Sequence, residues 1–384
     1  MEDVRQRQLH QASEPVSNSE PLKTDSILIV GAGIFGLSTA LELNKRGYTK
    51  SFYPSGFVLM ADKNADSTYV MKSKATSEKL GDYRGDITDA SNGLAAYFNP
   101  LGGWADAQSA VCFLAQECSQ RGISFITGPR RRATSLRIRP RDKRVVGVNV
   151  AEGEPIFATQ IILATGAWSG QLLPISHASS ASGQFVGFIQ LTPKEAESLR
   201  GMPVIMNFST GVFVFPPYPG SNLLKVAHHR FGVANQVAVD NGSRLGSSPK
   251  LAENNAEAGY LPEDADRHLR DSLKQLVPQF GDRPWWRRRM CWYSDTPDGD
   301  FIAYFHPDLQ GLFIATGGSA NAFKFTLVLG RYIADCFENK ASDECRNKCR
   351  LKAPDGKVGM PKQGDRSRGG QPWRLLLPHE QAKL

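Results

Sequence analysis

Cys291 lies in the stretch RRRMCWYSDTPDGDF, residues 287–301, between an arginine run and an aromatic pair followed by Asp295, Asp298 and Asp300. A thiol there is either an ordinary buried group of a strand and turn, or a point where a cofactor is tied to the chain. Two lysines share this ambiguity. Lys324, in NAFKF, sits in an apolar strand-to-helix turn between Phe323 and Phe325. A buried, unpaired ammonium is costly, so Lys324 is either a surface group or a group that meets an anion. Lys225, in SNLLKVAHHR, reads as a strand-edge lysine or as a cation aimed into a site.

The elements that would position these groups begin with SILIVGAGIFGLSTALELNKRG. An apolar strand, residues 27–30, runs into Gly31, Gly33 and Gly36, with Ile34 and Phe35 inside the turn, and a helical pattern follows. The glycines have separate roles: Gly31 permits the tight turn, Gly33 lets the backbone approach a pyrophosphate, and Gly36 lets helix pack on strand. The helix N-terminus offers free N–H groups and partial positive charge to phosphate. The acidic ribose ligand expected about 20 positions on has one candidate, Asp62, after the apolar run 57–60. The other reading is that the second strand of the nucleotide fold is absent.

A second apolar strand, residues 161–164, ends in Thr165 and Gly166 after a stretch that alternates like an antiparallel meander. A strand that returns beside the first and closes over the ligand favours FAD over NAD.

Composition narrows the function classes. The chain has 384 residues, room for two domains, and 41% apolar content. No apolar run is long enough to span a bilayer, and the first residues carry no secretory signal pattern. The six cysteines form no C-x-x-C pair, which argues against a zinc site, and a disulfide framework is not expected in a chain this large without a secretion signal pattern. Net charge is +8, but the runs at 130–132 and 287–289 form no continuous stripe, so they read as solvated surface and not as a nucleic-acid face. The chain ends in Ala382, Lys383 and Leu384, which resembles a peroxisomal address.

On these residues the chain resembles the FAD-dependent amine oxidases that include monomeric sarcosine oxidase and the fungal fructosyl amino acid oxidases, or amadoriases. The likeness covers residues 26–340. YFNPLGGWADAQSAVCFLAQECSQRGISFITG is similar to the family's glycine-glycine-tryptophan entry to a helix, and RRRMCWYSDTPDGDFIAYFHPDLQGLFIATGGSANAFKF to its C-terminal signature. The resemblance implies FAD joined through sulfur at Cys291, with Gly318 in the cofactor loop. It implies Lys324 as the partner of the substrate carboxylate and, near the cofactor, Lys225 as the cation that promotes reaction with dioxygen. The implied reaction oxidises a secondary amine to an imine and makes hydrogen peroxide, which suits a peroxisome; the cytoplasm is the alternative.

The sequence also departs from the family. The segment after the first helix is several dozen residues shorter, and SFYPSGFVLMADKNAD resembles a later, substrate-domain strand. His228 and His229 stand where amadoriases carry sugar-reading acids. Ala320, Asn321 and Ala322 replace a glycine-histidine-glycine turn, and Tyr304 replaces an aspartate. A fructosyl substrate is thereby disfavoured against another N-substituted amino acid or a biosynthetic amine. Sarcosine, pipecolate or saccharopine remain alternatives, as does a non-catalytic remnant that binds no flavin.

The expected fold is α/β: a Rossmann-type FAD-binding domain from residues 25–60, 103–170 and 290–340, and a mixed-sheet substrate domain from 61–102 and 171–289. Residues 1–24 read as a disordered arm and 341–384 as a polar tail carrying the address, read by the peroxisomal import receptor. A monomer is expected.

Overall fold

The computed structural model describes residues 26–31, 33–44, 52–62, 64–80, 95–239, 244–249, 259–353 and 374–384. The expected arm, 1–24, and residues 354–373 of the expected tail lie outside them. No helix among the described residues is long and apolar enough to cross a membrane.

The chain forms an α/β fold in which two sheets matter for function. The smaller has the order Ile27–Val30, Gln160–Leu163, Leu312–Thr316, Ile302–Phe305. The first three strands run parallel and the last antiparallel. Its middle strands are buried throughout, which is why they read as unbroken apolar runs. Helices Ile34–Asn44 and Thr326–Phe337 lie against one another beside it, and a Cβ on Gly330 would fall 1.9 Å from the Ser38 carbonyl oxygen. Only glycine allows that approach. The apolar cluster of Phe35, Ile162, Phe313, Ile333 and Phe337 packs under the second helix.

Among the described residues the larger sheet has nine strands. At its centre Ser180–Gln190 pairs antiparallel with Leu223–His228 and with Arg287–Asp295. Val212–Phe215 and Val204–Asn207 extend it, followed by Phe57–Ala61 and Ala95–Asn99. The helix Glu263–Leu276 covers one face, burying Leu269 and Leu273 against Leu224, Val226 and Ile189.

Three expected boundaries differ from this arrangement. Phe57–Ala61 pairs parallel with Val204–Asn207 and antiparallel with Ala95–Asn99, so it is a strand of the larger sheet and not the second strand beside Ile27–Val30. Residues 290–295, assigned to the FAD-binding domain, continue a strand of the larger sheet. Residues 374–384, assigned to the polar tail, are folded: Arg374–Leu375 adds parallel to Val233–Ala234, and Leu376 and Leu384 are buried in the core below helix Glu263–Leu276.

Candidate functional site

The glycine turn separates packing from access. Gly31 has φ +113°, and a Cβ there would lie 2.4 Å from the Ala164 carbonyl oxygen; one on Gly36 would lie 1.9 Å from the Gly31 carbonyl oxygen. Both are required by the closeness of the first strand, the returning strand and the helix. A Cβ on Gly33, by contrast, would meet no atom within 4 Å, so this backbone faces open space at a helix N-terminus. Ile34 begins the helix, and the Phe35 side chain is core, 5.6 Å edge-on from the Phe301 ring and packed beside Gly318. Only backbone groups of Phe35 are left for a cofactor.

The returning strand delivers Thr165 and Gly166 to the same end of the sheet, with Ala164 N–H bonded to the Val30 carbonyl at 2.8 Å. Gly166 has φ +53° and also faces open space. From here a buried chain of hydroxyls crosses to the larger sheet. Thr165 Oγ1 and Ser169 Oγ are 3.0 Å apart, and Ser169 donates to Thr316 Oγ1 at 3.2 Å. Thr316 meets Ser294 Oγ at 3.1 Å, and Ser294 meets Ser179 at 3.0 Å. Gly317 N–H also donates to Ser294 Oγ. Nothing in the spacing of these residues announced the chain, since serine and threonine carry no period of their own.

Ser294 is three residues along the strand from Cys291, about 10 Å, so the cysteine strand is anchored where the nucleotide sheet ends. Pairing fixes which side chains share a face. Cys291 stands opposite Gln184, and Lys225, on the other flank of Ser180–Gln190, opposite Phe188. Alternation puts Arg287, Arg289, Cys291 and Tyr293 on the Lys225 side and turns Arg288 and Trp292 to the helix-covered side. There Trp292 joins the core, and Arg288 pairs with Asp266 at 2.9 Å.

Cys291 is partly accessible and unbridged. Lys225 is half-buried, its Nζ 4.5 Å from the centre of the Phe215 ring. Burial pulls its pKa below the ordinary lysine value; the nearby Cys291 opposes this, Arg289 adds to it and Asp106 opposes it. Asp106 caps the helix Ala107–Gln120 through Ser109 N–H and accepts from the Tyr218 hydroxyl at 2.6 Å. Burial raises its pKa, but the bonds from Ser109 and Tyr218 outweigh it and hold the carboxyl below the usual value. The Trp104–Tyr218 ring contact completes this corner, at the glycine-glycine-tryptophan turn.

Two of the acids after Cys291 have structural partners. Asp295 is fully buried and accepts from Ser182 Oγ. Asp298 pairs with Lys352. Of the histidines, His229 lies 6.0 Å from the Tyr293 ring, but His228 is buried on the opposite face, edge-on to Phe185 and tilted against His268.

Lys324 is exposed on the short 3-10 turn Ala322–Phe325, its Nζ 5.8 Å from the Phe325 ring, and Phe325 is itself 42% exposed. The flanking aromatics therefore do not bury it. The turn before it is tied to the cysteine strand, with Ser319 N–H donating to the Ser294 carbonyl at 2.9 Å. Ser319 and Ala320 take left-handed φ values of +44° and +62°.

Tested against FAD, these residues fit at the phosphate and ring ends: open backbone at Gly33 and Gly166, a partly accessible thiol, and a cation on the same face. They fit less well at the adenosine end. Asp62, the sequence candidate for the ribose, is bonded in the larger sheet to Asn207 Nδ2 at 2.8 Å and Gln275 Nε2 at 2.9 Å.

A family model described as FAD dependent oxidoreductase matches residues 62–336. The chain is similar to L-saccharopine oxidase from Schizosaccharomyces pombe, 29% identical over 270 residues, covering 68% of this chain and 61% of that protein. It is also similar to amino acid oxidase imqH from Aspergillus flavus, 28% identical over 354 residues, covering 82% and 73%. Among solved structures, fructosamine oxidase (Amadoriase II) from Aspergillus fumigatus superposes with a TM-score of 0.76 at 25% identity, over 92% of this chain and 94% of that one. The chain spans only about three-fifths of the length of the first curated relatives it matches, 61% of one and 57% of the next.

Proposed function

The chain belongs to the FAD dependent oxidoreductase family, and from that premise we propose that it is an oxidase of a secondary amine, an N-substituted amino acid or a biosynthetic amine, that yields an imine and hydrogen peroxide. One observation supports this most: Lys225 and Cys291 share a face of the larger sheet, on strands stitched through Ser294 to the glycine-lined end of the smaller one.

In this reading FAD, when bound, supplies the two-electron acceptor for oxidation of the C–N bond and passes the electrons to dioxygen. The chain's own groups do the rest. Gly31, Gly33 and Gly36 form the turn whose open backbone meets the pyrophosphate, with Thr165 and Gly166 beside it. Cys291 would hold the cofactor through its sulfur. Lys225, short of water, sets a positive charge where negative charge builds on dioxygen, an interaction worth more in a dry site than in water. Arg289 adds positive charge on the same face, and Tyr293 with His229 forms a wall. Lys324 meets the substrate carboxylate from its exposed turn, and Gly318 holds the loop before it against Phe35.

His228 is turned away from this face, so only His229 could replace the sugar-reading acids of amadoriases, which disfavours a fructosyl substrate. Sarcosine, pipecolate and saccharopine stay as alternatives; L-saccharopine oxidase is among the relatives. We place the reaction in the peroxisome on the Ala382-Lys383-Leu384 ending, with the condition that the buried Leu384 must undock to meet a receptor. We also propose a monomer, as the name monomeric sarcosine oxidase states for other relatives.

A second reading, a remnant without flavin, is favoured by the engagement of Asp62 in the larger sheet. Purification followed by acid precipitation separates the two. Yellow colour in the pellet and peroxide release with one of a panel of secondary amines supports the oxidase. A colourless protein, inert with every amine after incubation with FAD, supports the remnant.

A further inference from the structure

Three of the six cysteines gather away from the site just described. Cys336 ends the helix Thr326–Phe337, and Cys345 and Cys349 lie on and after the short helix Asp343–Lys348. Cys336 is buried and the other two are half-buried against Phe305, Phe313 and Phe337. The Sγ atoms of Cys336 and Cys345 are 3.9 Å apart. Cys349 N–H donates to the Cys345 carbonyl at 2.9 Å, so Cys345 stands in sequence and space beside both other cysteines. Three thiols so placed could be inert filling or a redox group. No cluster of three or more His, Cys, Asp or Glu among the described residues is arranged to hold a metal ion.

We propose that Cys336 and Cys345 are a peroxide-oxidisable pair that closes to a disulfide. The geometry selects this pair. Cys345 and Cys349 are one helical turn apart, where Cβ atoms stand about 5–6 Å from each other, too far for the roughly 3.5–4.5 Å that a disulfide needs. Cys336 approaches from a different helix, and closing 3.9 Å to a bond of about 2.05 Å needs side-chain rotation and a small shift. The five residues between the helices are already held, with Lys340 and Ala341 N–H both on the Asp335 carbonyl and Ser342 capping the second helix.

The chemistry balances with hydrogen peroxide as oxidant. The Cys345 thiol is oxidised to a sulfenic acid as the O–O bond breaks and one water leaves. The Cys336 sulfur then attacks the Cys345 sulfur, the S–O bond breaks, and a second water leaves with the Cys336 proton. Two thiols and one peroxide become one disulfide and two waters. Burial, with Cys345 close by, raises the Cys336 thiol far above its ordinary pKa, and burial with Cys345 pushes Cys349 up to about 12. A thiol held neutral attacks slowly, so Cys336 resolves the oxidised Cys345 slowly and the bridge closes under sustained peroxide. The proposal does not depend on which amine is oxidised, nor on flavin.

The test uses the full chain, treated with added hydrogen peroxide, alkylated and digested with trypsin. Cleavage after Arg331, Lys340 and Arg346 puts Cys336 and Cys345 in separate peptides, YIADCFENK and ASDECR. We expect these two joined, two hydrogens lighter than their sum, and restored by dithiothreitol. Cys345→Ser should abolish the product and Cys349→Ser should retain it. The proposal is overturned if the two peptides stay separate at a peroxide dose that oxidises the exposed Cys112, or if Cys345 goes to sulfinic acid unlinked. Pairing of Cys345 with Cys349 instead also overturns it.

Discussion

Lys225 and Cys291 flank the same central strand on the same face of the larger sheet, one opposite Phe188 and the other opposite Gln184. The thiol favours the charged form of the lysine, partly offsetting the burial that disfavours it. A site that joins a cofactor at one of these residues and steers oxygen with the other needs this relationship.

Cys291→Ser should leave the fold within about 0.5 kcal/mol of the parent, since the side chain is partly accessible and serine is nearly isosteric. Flavin should move from the acid-precipitated pellet to the supernatant. Colour retained in the pellet would place the covalent bond elsewhere.

Lys225→Met should slow reoxidation of the reduced protein by dioxygen about 10²–10³-fold, with flavin content unchanged, in a stopped-flow experiment. Because the folded pKa lies below 10.5, the parent's reoxidation should fall with rising pH earlier than an ordinary lysine would allow. Stability runs the other way. Between the folded pKa and 10.5 the unfolded chain holds the extra proton, so this group's contribution rises with pH. A pH-independent parent rate would exclude Lys225 as the titrating group.

The glycine turn separates two kinds of damage. Gly31→Ala places a Cβ against the Ala164 carbonyl at positive φ and should lower the melting temperature sharply. Gly33→Ala meets open space and should melt like the parent while losing affinity for flavin, read by fluorescence quenching. Equal thermal loss in both variants would remove the distinction.

Acid should destabilise the protein through two histidines. Burial, then His268 and Arg230, hold His228 well below 6.5, and burial with Arg230 lowers His268. The unfolded chain binds protons that the folded one refuses, so stability is lost as pH falls through 6.5, at up to about 1.4 kcal/mol per unit for each group. His228→Phe should flatten this limb in urea titrations at pH 5 and pH 7; an unchanged slope would assign it to other groups.

Ala320 holds a left-handed conformation at +62°, which costs a residue with a Cβ about 1–2 kcal/mol. Ala320→Gly should relieve it and, after about 0.4–1 kcal/mol of added unfolded-state entropy, stabilise the protein by up to about 1 kcal/mol in urea unfolding. Destabilisation would mean that the Ala320 methyl group contributes packing worth more than the strain.

Much of this was legible in the sequence where one residue type meets one physical need. Gly31 and Gly36 are dictated by backbone contact, and alternation along 287–295 alone puts Cys291 opposite in face to Trp292. Phe57–Ala61 was ambiguous because an apolar strand has the same pattern in either sheet, and only pairing decides. Lys324 misled because Phe325 beside it is exposed, which no local pattern reveals. Residues 374–384 looked like tail because their anchor, Arg374 bound to Asp264 and Glu380, closes over 110 residues of chain.

The hydroxyl chain from Thr165 to Ser179 carries a mechanical consequence. The links from Ser169 to Ser179 are buried, and prying the sheets apart would strand oxygens that water could not reach without flooding the seam, at roughly 1–3 kcal/mol apiece. The molecule is therefore latched along this line and does not gape like a clam.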